Sequence, residues 1–334
     1  MTAKHCLREY MKAIVFTHYG SPGLLEYKEV EKPAPQNNEV LVKVCAASIN
    51  SWDWEILQGK PFINRLMFGL LKPKKINILG CDITGQVAAL GKNVKHLQIG
   101  DDVFGDLSAC GWGGFAEYVC APEAALSLKP ASITFEEAAA VPQAGLLALQ
   151  GLHYKEQLQA GQKVLINGAG GGVGSFAVQI AKLFGAEVTA VDSTEKLTLM
   201  RLLGADQVID YTQEDFTRNG QRYDFILDIN ARHSIVDCHR ALHSKGSYIM
   251  VGGSSKLISQ LLLLGPILSL ISNKKMGLLL HKANKGMTMM NALLESTKVV
   301  PIIDRRYHLS DTAEAMRYFG KGKSKGKVVI KIAS

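Results

Sequence analysis

The stretch Lys163 to Asp192, KVLINGAGGGVGSFAVQIAKLFGAEVTAVD, carries the residues whose types and spacing speak most directly of chemistry. Ala169-x-Gly171-x-x-Gly174 is an Ala-first form of G-x-G-x-x-G, with Gly168, Gly170 and Gly172 as additional glycines. Such a turn is tight, lets a backbone approach a pyrophosphate, and allows the next helix to pack close to the preceding strand. Gly171, Gly172 and Val173 open that helix, whose first amides would point at the phosphates. Asp192 follows at the next strand end, where an acid accepts from a ribose 2′-hydroxyl. A dinucleotide is the ligand this set fits.

The elements that must position these residues are legible around them. Val164, Leu165 and Ile166 form a short apolar run typical of a strand buried on both faces. Val173, Phe176, Ala177, Ile180, Ala181 and Phe184 recur at helical spacing, and Gly185 stands where a left-handed C-cap ends the helix. Val188 to Val191 makes the second strand of the βαβ unit. Downstream, Gln207 to Ile209, Phe225 to Leu227 and Tyr248 to Val251 alternate with helical patterns at Leu197 to Leu203 and Ser234 to Leu242. That alternation predicts an α/β fold with a doubly wound parallel sheet. Between Met11 and about Ala138 the texture differs. Short strands, glycines and prolines there predict a bent antiparallel β domain.

Length and composition narrow the classes. At 334 residues two domains are expected. The formal charge of +8 comes from dispersed residues, and the Lys321, Lys323, Lys325, Lys327 cluster lacks interleaved aromatics, so no nucleic-acid partner is expected. Attraction of an anionic cofactor explains the charge. Six cysteines without C-x-x-C pairs argue against a disulfide framework and a structural zinc knot, and fit a reducing cytoplasm. MTAKHCLREY has no apolar core, so residues 1–10 read as a short extension rather than a secretory signal. Leu257 to Ile271, LISQLLLLGPILSLI, is too short to span a bilayer and is expected as two short buried or interface helices broken at Gly265-Pro266. No G-x-S-x-G elbow supports a serine nucleophile.

Taken in order, Met11-Lys12-Ala13, Ala47-Ser48-Ile49-Asn50-Ser51-Trp52-Asp53, Gly80-Cys81-Asp82-x-x-Gly85, Gly114-Phe115-Ala116-Glu117-Tyr118, the glycine turn, Leu203-Gly204-Ala205-Asp206 with Ile209-Asp210-Tyr211, Val251-Gly252-Gly253 and Gly326-Lys327-Val328-Val329 form a pattern. The chain resembles the medium-chain dehydrogenase/reductase superfamily, within it the zinc-free quinone oxidoreductase-like branch and reductases of the reticulon-4-interacting type. The resemblance covers nearly all of residues 11–332. It implies a discontinuous GroES-like catalytic domain, 11–138 with 285–334, a Rossmann domain over 139–284, an active site in the cleft, and a homodimer.

Zinc-dependent members of that superfamily use a Cys, a His-Glu pair and a second Cys. Here Asn50 takes the first position, Cys81-Asp82 the pair, and Pro142-Gln143-Ala144-Gly145 has no cysteine, so no metal is expected. The resemblance further implies that Asn50 and Asp53 position substrate and nicotinamide. It places Ala169, Gly171, Gly172, Val173 and Gly174 at the pyrophosphate, Asn230, Val251, Gly252 and Gly253 at the ribose and nicotinamide, and Lys327 on the returning C-terminus. Leu147 stands where relatives often have Thr. Asp192 asks for NADH, whereas Ser193, Thr194, Lys196 and Tyr211 match residues that hold the extra phosphate of NADPH. The expectation leans to NADPH, with NADH usable as well. Without a Lewis acid, a quinone or α,β-unsaturated carbonyl is an easier hydride acceptor than a simple carbonyl. No proton donor is identified beyond water or Tyr118. The competing readings are a zinc-type alcohol dehydrogenase and an NADPH-binding sensor or interaction protein with little turnover.

Overall fold

The computed structural model describes residues 8–74, 76–153 and 158–332. The chain divides into two compact units, one of Met1–Gln143 with Arg305–Lys323 and Val328–Ser334, the other of Ala144–Asp304 with Ser324–Lys327. Of the extension expected over 1–10, residues 1–7 lie outside the described residues. Arg8 and Glu9 pair with Glu31 and Lys32, and the first strand begins at Tyr10.

The first unit is built on the strand Glu39–Ile49, whose Val40, Val42 and Val44 are fully buried. Alternating apolar residues turn one face into the core, as a half-buried strand requires. It pairs antiparallel with Asp82–Leu90, Tyr118–Pro122 and Lys327–Lys331, with Val328 opposite Ile49. Register shifts at Leu41/Val42 and Val44/Ala46 bend the central pair. The Ser51–Gln58 helix leaves the end of this strand directly. Asp53 Oδ2 accepts from Asn50 N at 2.8 Å at its start, and Gly59 ends it at φ 60°.

In the second unit six parallel strands, Lys163–Asn167, Glu187–Asp192, Gln207–Asp210, Tyr223–Asp228, Leu242–Met250 and Lys275–Leu278, form one sheet. Numbered along the unit their spatial order is 3-2-1-4-5-6, so the order reverses between Lys163–Asn167 and Tyr223–Asp228. Ligands of such sheets bind beyond the strand carboxyl ends at that reversal.

Three sequence expectations shift. The sixth strand, Lys275–Leu278, had no clear signal. The helix Met287–Glu295 belongs to the second unit, although residues from 285 on were assigned to the first, because Gly286 abuts Leu149 and Leu146 of the second unit. The segment expected as two short buried or interface helices is one helix, Ser255–Ile271, with Pro266 inside it and only Leu261 and Gly265 buried. Pro266 deprives the Leu262 carbonyl of its donor, and Leu262 is 61% exposed, so water can satisfy it. No helix among the described residues is long and apolar enough to cross a membrane.

Candidate functional site

The glycine-rich turn is shaped by close approach at nearly every position. A Cβ on Gly174 would lie 2.2 Å from Gly168 O and 2.5 Å from Ala169 Cα, so only glycine lets the Gly172–Leu183 helix start this near the strand. Gly168 holds φ 86°, a left-handed conformation that L side chains resist. Ala169 is completely buried. A Cβ on Gly171, by contrast, would meet nothing nearer than 3.5 Å, leaving this N-cap residue open beside the helix amides. Val173 sits in the first turn of that helix. Its N-terminus therefore presents backbone donors and a positive dipole end where a phosphate would dock.

Asp192 ends the second strand but turns inward. Its Oδ2 accepts from Gly170 N at 2.9 Å and its Oδ1 from Ser193 N at 2.8 Å. Lys196 Nζ lies 3.3 Å from the same Oδ1, and the Lys196 and Asp192 side chains are 8% and 7% exposed. The lysine stem packs under the turn, 2.7 Å from where a Gly170 Cβ would stand. Thr194 donates its hydroxyl to Asp210 Oδ2. That bond holds the Asp210 carboxyl below the usual carboxylate range. Tyr211, 38% exposed, donates its N–H to Asp192 O, and the Arg232 guanidinium lies 5.1 Å from its ring centroid.

On the other side of the turn, Asn167 Nδ2 donates to Asp228 Oδ1 at 2.8 Å and to Asn230 O at 3.1 Å, and Tyr248 Oη donates to Asp228 Oδ2 at 2.8 Å. Burial pushes the Asp228 carboxyl up, against the pull of these two donors. This buried network fixes the Asn230 loop against Gly168, and sequence reasoning missed it. Its only signal was a polar residue, Asn167 or Asp228, ending an apolar strand. Gly253 bridges to Ala231 in parallel, and Val251 N donates to Asp228 O. A Cβ on Gly252 would meet nothing within 4 Å. Lys327 is 3% exposed and lies across Gly172, while Gly326 N donates to Gly170 O at 3.0 Å. The turn, Asp192, Lys196, Asn230 and Lys327 are thus brought together.

Asn50 and Asp53 belong to a buried cluster in the first unit. Asn50 Nδ2 is 2.9 Å from Asp82 Oδ2 and 3.3 Å from Cys81 Sγ. Ser48 Oγ also donates to Asp82 Oδ2, and Gln143 N to Oδ1 at 3.0 Å, with Gln143 Nε2 3.6 Å from the Cys81 sulfur. Asp53 Oδ1 accepts from Gly80 N at 2.7 Å, so its carboxylate ties the helix start to the residues before Cys81. Ser48 and Gln143 stood in the sequence pattern without a role, and Asp106 was not part of it. Asp106 arrives through cross-strand pairing with Asp82, which spacing alone does not reveal.

Cys81, Asp82 and Asp106 have ligand-type atoms within 4.8 Å of one another. These residues fit zinc poorly. Asp82 already accepts from Ser48, Asn50 and Gln143, and Asp106 Oδ1 accepts from Ser108 N, so a cation would compete with these donors for the same oxygens. Tyr118 is not in this cluster. It pairs with Lys43, five residues along the strand from Ser48, which puts it about 17 Å away at strand rise, under the Lys32 ammonium.

The alcohol dehydrogenase GroES-like domain family matches residues 36–131, and the zinc-binding dehydrogenase family matches residues 203–330. The 2-methylene-furan-3-one reductase of Solanum lycopersicum is 33% identical over 331 residues, 96% of this chain and 79% of that protein. The NADPH-dependent alkenal/one oxidoreductase, chloroplastic, of Arabidopsis thaliana is 32% identical over 99% of this chain and 82% of its own length. Among solved structures, the quinone oxidoreductase from Coxiella burnetii superposes with a TM-score of 0.85 at 30% identity, covering 97% of this chain and 99% of that one. With a GroES-like region, a doubly wound dinucleotide cradle and relatives matched along nearly its whole length, the chain belongs to the medium-chain dehydrogenase/reductase superfamily, in its quinone oxidoreductase-like branch.

Proposed function

We propose that the protein is an NAD(P)H-dependent oxidoreductase that passes hydride to a quinone or an α,β-unsaturated carbonyl without a catalytic metal. The observation that carries the metal-free reading is the Asn50 cluster, where side-chain and backbone N–H groups occupy the electrostatic place of a cation beside Asp82 and Cys81. The nicotinamide, when bound, supplies the hydride. The chain's own residues hold, orient and shield. Gly171, Gly172 and Val173 would take the pyrophosphate, Asn230 and Val251 to Gly253 the ribose and nicotinamide side, and Lys327 would add positive charge beside Gly172. Asp53 acts as a positioning residue for Asn50, since both its oxygens hold backbone amides.

A conjugated acceptor suits such a site. Charge developing on hydride addition spreads to the carbonyl oxygen, so a few hydrogen bonds rather than a metal suffice to stabilise it. The proton that completes the reduction comes from solvent in this reading. We favour NADPH with NADH also accepted, because the Asp192 carboxylate is already engaged by the Gly170 and Ser193 amides and the Lys196 ammonium. The names of the tomato and Arabidopsis relatives support the enone and NADPH assignments.

A homodimer is part of the reading. The edge strand Lys275–Leu278 and the neighbouring Leu263, Leu270 and Ile271, 71%, 88% and 73% exposed, offer an apolar face that sedimentation would show covered or not. The catalytic proposal is tested by kcat/KM for both cofactors across quinones and enones. Tight NADPH binding with no oxidation across that panel would favour the binding-protein alternative instead.

A further inference from the structure

Resting on the nicotinamide-dinucleotide reading above, we propose that Arg232 is the cation that selects for the 2′-phosphate of NADPH, and that the Asp192–Lys196 pair does not. Lys196 is the residue family resemblance would choose, but its ammonium is 3.3 Å from Asp192 Oδ1 and both side chains are nearly sealed from solvent. Drawing Lys196 out to a cofactor would take the opposing charge from a buried carboxylate and leave it to the Gly170 and Ser193 amides, which low-dielectric surroundings oppose. Its stem also fills the space under Gly170. The pair therefore works as a neutral clasp beneath the turn.

Arg232 is placed for the vacated role. It is exposed and lies two residues after Asn230, in the loop that follows the strand Tyr223–Asp228. Tyr211 lies in the loop after Gln207–Asp210, anchored by its N–H to Asp192 O at 3.1 Å. In the sheet these loops flank the glycine-bearing strand from opposite sides, so the 5.1 Å contact between guanidinium and ring spans the strand carboxyl ends where a dinucleotide lies. Stacking holds a guanidinium by its face and leaves its edge for a phosphate, which it can grip with two parallel N–H donors. The acid of this corner, Asp210, engages Thr194 and Thr212. Its charge opposes an added phosphate, so a permanently charged arginine has something to overcome.

The test is calorimetric binding of NADPH and of NADH to the full chain and to Arg232→Ala and Arg232→Lys, with melting curves to confirm that each variant folds. The expected result is a loss of roughly tenfold or more in NADPH affinity for Arg232→Ala, as for one charge-assisted contact, with NADH changed less than about twofold and partial recovery in Arg232→Lys. Equal weakening of both cofactors would mean that Arg232 merely stacks on the adenine, and no change in either would return the role to Lys196; both overturn the proposal. Failure of the unmutated chain to bind either cofactor would instead sink the nicotinamide reading itself.

Discussion

The glycine-rich turn and the Asn50 cluster both prepare a place for a charged or polarised partner, and they do so with opposite materials. The turn removes side chains so that the amides opening the Gly172–Leu183 helix can be approached, and uses its one acid, Asp192, as an internal brace. The cluster keeps its side chains and saturates them. Asp82 receives a hydroxyl, a side-chain amide and a backbone amide in a buried pocket. The first kind of site tolerates almost no added volume, whereas the second tolerates no lost donor or acceptor. The difference predicts different failure modes.

The largest effect on cofactor binding should come from volume at the turn. Gly174→Ala drives a methyl to within 2.2 Å of a backbone oxygen, and is expected to cost about 2–3 kcal/mol of stability and to abolish measurable cofactor binding. Gly171→Ala, with open space around it, should lie within about 1 kcal/mol of the parent in a denaturant melt while still weakening NADPH binding. Equal melts for the two variants would break the account of the turn.

Next comes charge at the cluster. Asp82→Ala leaves Ser48, Asn50 and the Gln143 N–H without their buried acceptor, and should cost about 2–4 kcal/mol together with most of kcat. Asn50→Ala should lower kcat by roughly one to two orders of magnitude with the NADPH dissociation constant unchanged, because the cluster positions the acceptor side. A change in cofactor affinity alone would place Asn50 in the wrong half of the comparison.

The smallest effect is a pH dependence near the cluster. Burial raises the Glu55 carboxyl to about 7, in the helix that Asn50 starts. The folded state then binds more protons than the unfolded chain between the ordinary glutamate range and about pH 7, so stability falls as pH rises through that window. Glu55→Gln should remove that slope and, at pH 8, raise stability by on the order of 2 kcal/mol, read from melts across the window. An unchanged slope would show that Glu55 is better solvated than its packing indicates.

The two sites were also unequally legible. The turn is contiguous, and each of its constraints is written as a missing side chain next to strand and helix periodicities. Its neighbours were harder. Asp192 could be recognised as a strand-end acid, but which way its oxygens face depends on Gly170 N–H and Lys196, and spacing does not encode that. The Asn50 cluster draws Ser48 from one strand, Asn50 from the cap of the helix that follows it, Asp82 and Asp106 from two other strands, and Gln143 from a helix start. Resemblance supplied Asn50 and the Cys81-Asp82 pair, while the cross-strand partner Asp106 needed the sheet register. The helix Ser255–Ile271 was misread because Pro266 was counted as a break. A proline costs one carbonyl its donor, and an exposed carbonyl can afford that.

Hydride transfer without a metal is tested most directly by NADPH oxidation with an enone substrate by protein dialysed against a strong chelator, alongside metal analysis of the same sample. Turnover unchanged by chelation, in protein holding far less than one zinc per chain, is the result the Asn50 cluster predicts. Activity that vanishes on chelation and returns on adding zinc would contradict it, and would make Cys81, Asp82 and Asp106 ligands instead.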